Sequence, residues 1–235
     1  MLQLRDRLLN VQVELLAALS AEKTAHLKVE LEVHQSIANT HPHLRYEITS
    51  VRELTPPAAL AAGYKRFIAN LPTDCTPTER LRRKVFHTCP AATLSLIETS
   101  GMRPSHCAMC RGLTAFAPHD NGWFGDHTKG VYVSKHMDYT FFYQHYRDPQ
   151  PGDEGTVLML EIVTGKVDHF TQRRDGAPPT PGYHCHETPN HLEYFVFDDE
   201  STSEPPRPTH RVLPLYAVSW RALRNDRMGI VHDGN

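Results

Sequence analysis

The sequence predicts an α+β domain with mainly antiparallel strands. Three observations carry that expectation. Apolar residues alternate in short runs that suit half-buried strands. Helical stretches are few and do not fall between successive strands as crossovers would. Neither GxGxxG nor GxxxxGK[ST] occurs, so the phosphate loops of doubly wound parallel sheets are missing.

The elements follow in chain order. Leu4, Leu8, Val11, Leu15 and Leu19 recur at spacings of three and four, one apolar stripe of a helix over residues 2–22. Leu27, Val29, Leu31 and Val33 alternate as a strand would, while Val29, Val33 and Ile37 fit a helix; the stretch is assigned as a continued helix. His41-Pro42-His43 breaks it. A strand over 44–51 puts Leu44, Tyr46 and Ile48 on one face. Thr55-Pro56-Pro57 opens a helix over 58–70. Lys84 to His87 is a short strand, and Thr88 and Pro90 lead into a helix that Gly101 ends. Residues 102–122 form a long loop. Gly130 to Val133 is a strand, and Ser134 is placed to cap a helix carrying Met137, Phe141 and Phe142. Thr156 to Val163 is a buried strand, residues 164–190 a second loop, and 193–197 and 212–219 the last strands, parted by a polar turn over 201–208.

Composition narrows the classes. With 235 residues and 40% hydrophobic residues, one core can form. The net charge of −2 gives no overall electrostatic footprint for nucleic acid or acidic membrane. Charged residues interrupt the apolar N-terminus, so neither a signal peptide nor a membrane span is expected. Five cysteines, an odd number, fit a reducing intracellular compartment, nucleus or cytoplasm.

Three segments carry a resemblance. Val85-Phe86-His87-Thr88 precedes a helix that exits in Gly101-Met102-Arg103. Gly122-Trp123-Phe124-Gly125 precedes Gly130-Val131-Tyr132-Val133-Ser134-Lys135. Glu193-Tyr194-Phe195-Val196-Phe197 precedes Val212-Leu213-Pro214-Leu215-Tyr216. In this order they resemble the catalytic domain of poly(ADP-ribose) polymerase-like ADP-ribosyltransferases of the diphtheria-toxin-like, His-Tyr-Glu class. The likeness covers about residues 43–222. It implies two packed, mainly antiparallel sheets with flanking helices, preceded by an N-terminal helical segment at 1–40 and followed by a tail at 223–235.

The resemblance implies NAD⁺ as donor substrate and His87, Tyr132 and Glu193 as the catalytic set. Cleaving the nicotinamide–ribose bond builds positive charge on the ribose, as glycoside cleavage does, and a carboxylate beside it stabilises that charge. Glu193 matches that carboxylate. His87 would hydrogen-bond a ribose hydroxyl, Thr88 would hold the nicotinamide amide through its backbone, and Tyr139 would stack on the nicotinamide. Tyr132, His136 and Arg103 complete the implied donor contacts. Two departures stand out: Thr88 replaces the family's glycine, and His136 replaces a serine that often bonds nicotinamide. The expected activity is transfer of ADP-ribose to an acceptor, in the first place a protein, as single units rather than polymer.

Two other readings are retained. One is an inactive module that keeps the transferase fold and binds NAD⁺ or protein. The other is a zinc-stabilised interaction domain, since Cys107-x-x-Cys110 has ligand spacing and His184-Cys185-His186 could complete a site; Cys185 and His186 are its candidate partners. No metal is expected on the main reading. The leading helix could pair two copies of the chain.

Overall fold

The computed structural model describes residues 21–38, 40–88, 91–104, 124–145, 147–204 and 207–225. The apolar stripe over 2–19, Cys107, Cys110 and the end of the C-terminal tail lie outside them. The chain divides into a unit ending at Ser36 and a second unit from Ile37 onward. In the first, helix α1 spans Ala21–Gln35, so the ambiguous Leu27–Val33 stretch is helical. Ser36 Oγ donates to the Val33 carbonyl and satisfies one orphan acceptor at the helix end.

The second unit is α+β. In order, it contains β1 (Leu44–Glu53), α2 (Ala58–Ala69), β2 (Arg82–Thr88), α3 (Ala91–Ser100), β3 (Val131–Ser134), a 3₁₀ turn (Asp138–Thr140), α4 (Phe142–His145), β4 (Glu154–Val163), β5 (Val167–His169), β6 (Cys185–Glu187), β7 (Glu193–Val196), α5 (Asp199–Thr202) and β8 (Val212–Arg224). The strands form one sheet, ordered β1-β8-β4-β2-β3-β7-β6-β5. Each neighbouring pair is antiparallel except β5 with β6.

Two separate packed sheets were expected, and hydrogen bonding instead joins the strands into one. The join is narrow. β2 pairs β4 over seven positions but meets β3 at one, Phe86 opposite Ser134. The sheet is therefore two four-stranded halves linked along a seam, β1-β8-β4-β2 and β3-β7-β6-β5. A ladder of one pair leaves the strands free to diverge on either side of it.

Burial follows the two-residue strand period. On one face Val85, Leu158, Leu160, Val133 and Val196 pack with Ile97 of α3 and Met102. On the other, Phe141 stacks on Trp220 with centroids 3.8 Å apart, and Tyr46 meets both edge-on. The same face of the second half carries Phe195, grouped with Phe124, Phe170 and Phe197. Gly125 and Gly130 are explained here. A Cβ on either would stand 2.4 or 2.5 Å from the Phe195 ring, so only glycine lets this segment lie on it.

The turn over 201–208 was read as irregular but begins in a helix. Asp198 caps α5 by accepting from the Ser201 N–H at 2.8 Å, and Ser201 Oγ accepts from the Asp198 N–H at 2.9 Å. Likewise, Ser134 ends β3 rather than capping a long helix. Its hydroxyl donates to the His136 carbonyl and its oxygen accepts from the His136 N–H.

Arg211 spans the seam. It is fully buried, and its guanidinium donates to the carbonyls of Val163 and Thr164 at the end of β4, His184 before β6, and Phe197 after β7. Phe67 of α2 covers it, 4.3 Å from ring centroid to guanidinium carbon. Arg211→Met would leave those carbonyls without their donor. It should destabilise the domain by about 3–5 kcal/mol, read from the midpoint shift in urea unfolding.

Candidate active site

Several of the expected site residues lie on the strands that flank the seam. His87 lies near the end of β2 and reaches across it: its Nδ1–H donates to the Tyr132 carbonyl of β3 at 2.8 Å. A carbonyl only accepts, so the proton of the neutral ring sits on Nδ1 and Nε2 keeps its lone pair. Burial holds the imidazole pKa below its ordinary value, and the bond to Tyr132 opposes that only in part. His87 is thus a neutral acceptor, suited to a sugar hydroxyl.

Glu193 opens β7 and is 4% exposed. Its Oε2 accepts from the Tyr139 hydroxyl at 3.2 Å, and its backbone N–H donates to Thr188 Oγ1 at 3.1 Å. Tyr139 comes from the 3₁₀ turn that follows β3, and the next residue, Thr140, accepts from Thr88 Oγ1 at 2.8 Å. The 138–140 turn therefore touches both the end of β2 and the start of β7.

The register also separates some of these groups. Glu193 faces Ser134, which faces Phe86, so Glu193 shares the sheet face of Phe86, Thr88 and Tyr132. His87 alternates to the face of Val85, opposite Glu193, and its ring meets β3 at the Tyr132 carbonyl. Tyr132 packs against Phe124 and Phe195 at 4.7 and 5.0 Å, and its hydroxyl donates to the Gly125 carbonyl at 2.8 Å. Its role in this structure is to anchor the glycine segment. His136 meets Ser134 through its backbone. Arg103 stands apart. It lines an open groove of about 510 Å³ with Leu60, Arg66, Arg207 and His210, and none of His87, Tyr132, Tyr139 or Glu193 lines that groove. The ten residues of α3, about 15 Å of helix, carry it off the end of β2.

The zinc alternative loses two of its candidates. Cys185 is fully buried, and burial pushes its thiol up to about 12, so it stays protonated and is a poor ligand. His186 has both nitrogens committed: Nδ1–H donates to the Phe124 carbonyl at 2.9 Å, and Nε2 accepts from the Thr180 N–H at 3.3 Å. Its ring stacks on Phe170. These are structural groups of a packed half-sheet.

A polar cluster that the sequence reading missed lies beside the site. Glu187 at the end of β6 is buried, yet Lys135, His169 and His191 all reach its carboxylate. Its residues are spread over 57 positions, from 135 to 191, without a shared motif. Only the pairing of β6 with β5 and β7 assembles them.

No protein-family model and no curated protein matches the sequence. Among solved structures, the chain is similar to one described as the "Crystal structure of the TASOR pseudo-PARP domain", with a TM-score of 0.66 and 16% identity over 88% of this chain and 98% of that one. The fold is PARP-like. At that identity the likeness speaks for the fold alone.

Three histidines, His87, His184 and His186, have pKa values lowered by burial and make the domain acid-sensitive. Burial lowers the pKa of His87, and burial with the nearby Arg211 and Lys166 charges lowers that of His184 to about 4, from an ordinary 6.5. The unfolded chain takes up these protons first as pH falls. Stability is therefore full above about 6.5 and declines from there towards about 4. Denaturation midpoints between pH 7.5 and 4.5 should fall for the wild type and fall less steeply for His184→Gln.

Proposed function

We propose that this chain binds NAD⁺ at the β2–β3 seam and transfers single ADP-ribose units to an acceptor, in the first place a protein. The observation that carries the reading is the Tyr139–Glu193 contact at 3.2 Å, made where β2 and β3 part. It sets an aromatic face next to a buried carboxylate, the pairing that a cationic nicotinamide and an electron-poor ribose require.

Each group has a defined task. Tyr139 stacks on the nicotinamide. Nε2 of His87 accepts a hydrogen bond from a ribose hydroxyl. Thr88 meets the carboxamide through its backbone. The bond between ribose C1′ and the nicotinamide nitrogen breaks, and its electron pair leaves with neutral nicotinamide. The acceptor's nucleophile then bonds to C1′. Glu193 holds the ribose 2′-hydroxyl, stabilises the positive charge that grows between these events, and receives the acceptor's proton directly or through water.

A second reading has its own support. Thr88 fills the place of a family glycine and ties its side chain to Thr140, and the Tyr132 hydroxyl is held by Gly125. The solved chain it resembles is described as a pseudo-PARP domain. On that reading the fold binds NAD⁺ or a protein without turnover.

Nicotinamide release from NAD⁺, followed by chromatography, separates the two without knowledge of the acceptor. The expected result is turnover by the wild type and a loss of about 10²–10³-fold in Glu193→Gln, with affinity for an unreactive NAD⁺ analogue nearly unchanged. Analogue binding without turnover by the wild type would establish the inactive module instead. Absence of both would reject NAD⁺ as ligand. Thr88→Gly should tighten analogue binding several-fold, because it removes a β-branched side chain from the amide's path.

A further inference from the structure

We propose that His169, Glu187 and His191 form a binding site for a divalent transition ion, with Zn²⁺ as its natural occupant. The three residues come from the end of β5, the end of β6 and the turn before β7. Their ligand atoms all lie within 4.8 Å of one another. His169 Nδ1 stands 2.5 Å and His191 Nδ1 3.2 Å from the same carboxylate oxygen, Glu187 Oε2. Two imidazole nitrogens and one carboxylate oxygen suit Zn²⁺ by ligand type, and three protein ligands leave a position for water.

The surroundings match a metal site in three respects. Glu187 is buried, with 7% of its side chain exposed, while the imidazoles are 62% and 68% exposed, so an ion can arrive from solvent. Lys135 holds the other carboxylate oxygen, Oε1, and so orients Oε2 towards the two rings. That ammonium, 4.6 Å above the Tyr194 ring, is fixed by the ring as well as by the carboxylate. Its contacts and those of the two imidazoles hold the Glu187 carboxyl below its usual range despite burial. Among the described residues, Lys135, His169, His191 and the Tyr194 hydroxyl are charged or titratable groups that reach it.

The proton accounting is simple. In the metal-free form each Nδ1–H donates to Oε2, because a carboxylate only accepts. Metal binding needs both Nδ1 lone pairs. Each ring shifts its proton to Nε2, which the exposure of the ring allows to face water. A neutral imidazole therefore binds without net proton release.

The site is independent of the proposed transfer activity, and its test uses neither NAD⁺ nor turnover. The full chain, stripped with chelator, is titrated with Zn²⁺ against a chromophoric competitor and with Co²⁺ by visible absorption. The expected result is one equivalent bound per chain, with the d–d bands of a four- or five-coordinate Co²⁺ site. His169→Ala and His191→Asn should each weaken binding at least tenfold, and together abolish the Co²⁺ bands. Asparagine is chosen at 191 because that backbone has φ of +58°, which asparagine tolerates. Circular dichroism confirms that both variants stay folded, as expected for exposed side chains. Zn²⁺ should also raise the melting temperature of the wild type and leave that of the double variant unchanged. Failure to bind at 100-fold excess over protein, or one equivalent retained by the double variant, would overturn the proposal.

Discussion

The domain depends on one buried cation. Arg211 has no carboxylate partner among its hydrogen bonds; four main-chain carbonyls surround its guanidinium instead. Burial draws its pKa down to about 10, which still leaves it charged at neutral pH. Those carbonyls come from both halves of a sheet whose halves otherwise meet in a single register pair, Phe86 with Ser134. A planar fork with five N–H donors can satisfy several acceptors at once where an ammonium could not. The seam can therefore stay open near His87 because it is held shut at the opposite side, at Arg211. A sheet zipped along its whole length would leave no strand edge for a ligand.

The extent to which this was legible in the sequence follows from what each element repeats. Long strands with alternating apolar residues, such as β4 and β8, declare their period. β8 runs on to Arg224, beyond the 212–219 read from the sequence, because it pairs β1 on one side and β4 on the other. The three-residue strands β5 and β6 were lost inside a loop rich in proline and glycine, since three residues show no period. They exist because the 167–169 and 185–187 backbones pair with each other and β6 pairs with β7. The narrow β2–β3 join was invisible for the same reason: a register is a property of two segments far apart in the chain.

The candidate site divides in the same way. His87, Thr88, Tyr132 and Glu193 stood in recognisable segments, and those segments flank the seam, with His87 on the sheet face opposite Glu193. Arg103 did not follow, because ten residues of helix separate it from β2. Arg211 and Glu187 went unnoticed, being lone charged residues with partners tens of positions away. A physical signal was nonetheless present for Glu187: it sits between His186 and a Thr-Pro-Asn-His stretch, where a buried carboxylate needs cationic neighbours.

Glu187 and Glu193 lie at the two ends of one five-residue connection, and their surroundings differ. Both are buried. Glu187 is engaged by the Lys135 ammonium and by the His169 and His191 imidazoles. Glu193 accepts from the neutral Tyr139 hydroxyl. A hydroxyl donor can rotate to another acceptor, whereas a salt-bridged cation cannot leave without exposing a buried charge. On the proposed function, Glu193 is the carboxylate that stabilises charge developing on the ribose. The turn between Glu187 and Glu193 is held by its own contacts: the Glu193 N–H donates to Thr188 Oγ1, and the Lys135 backbone N–H donates to the Leu192 carbonyl at the start of β7. On the proposed function, a carboxylate held by such a turn stabilises developing charge without reorganising when that charge appears.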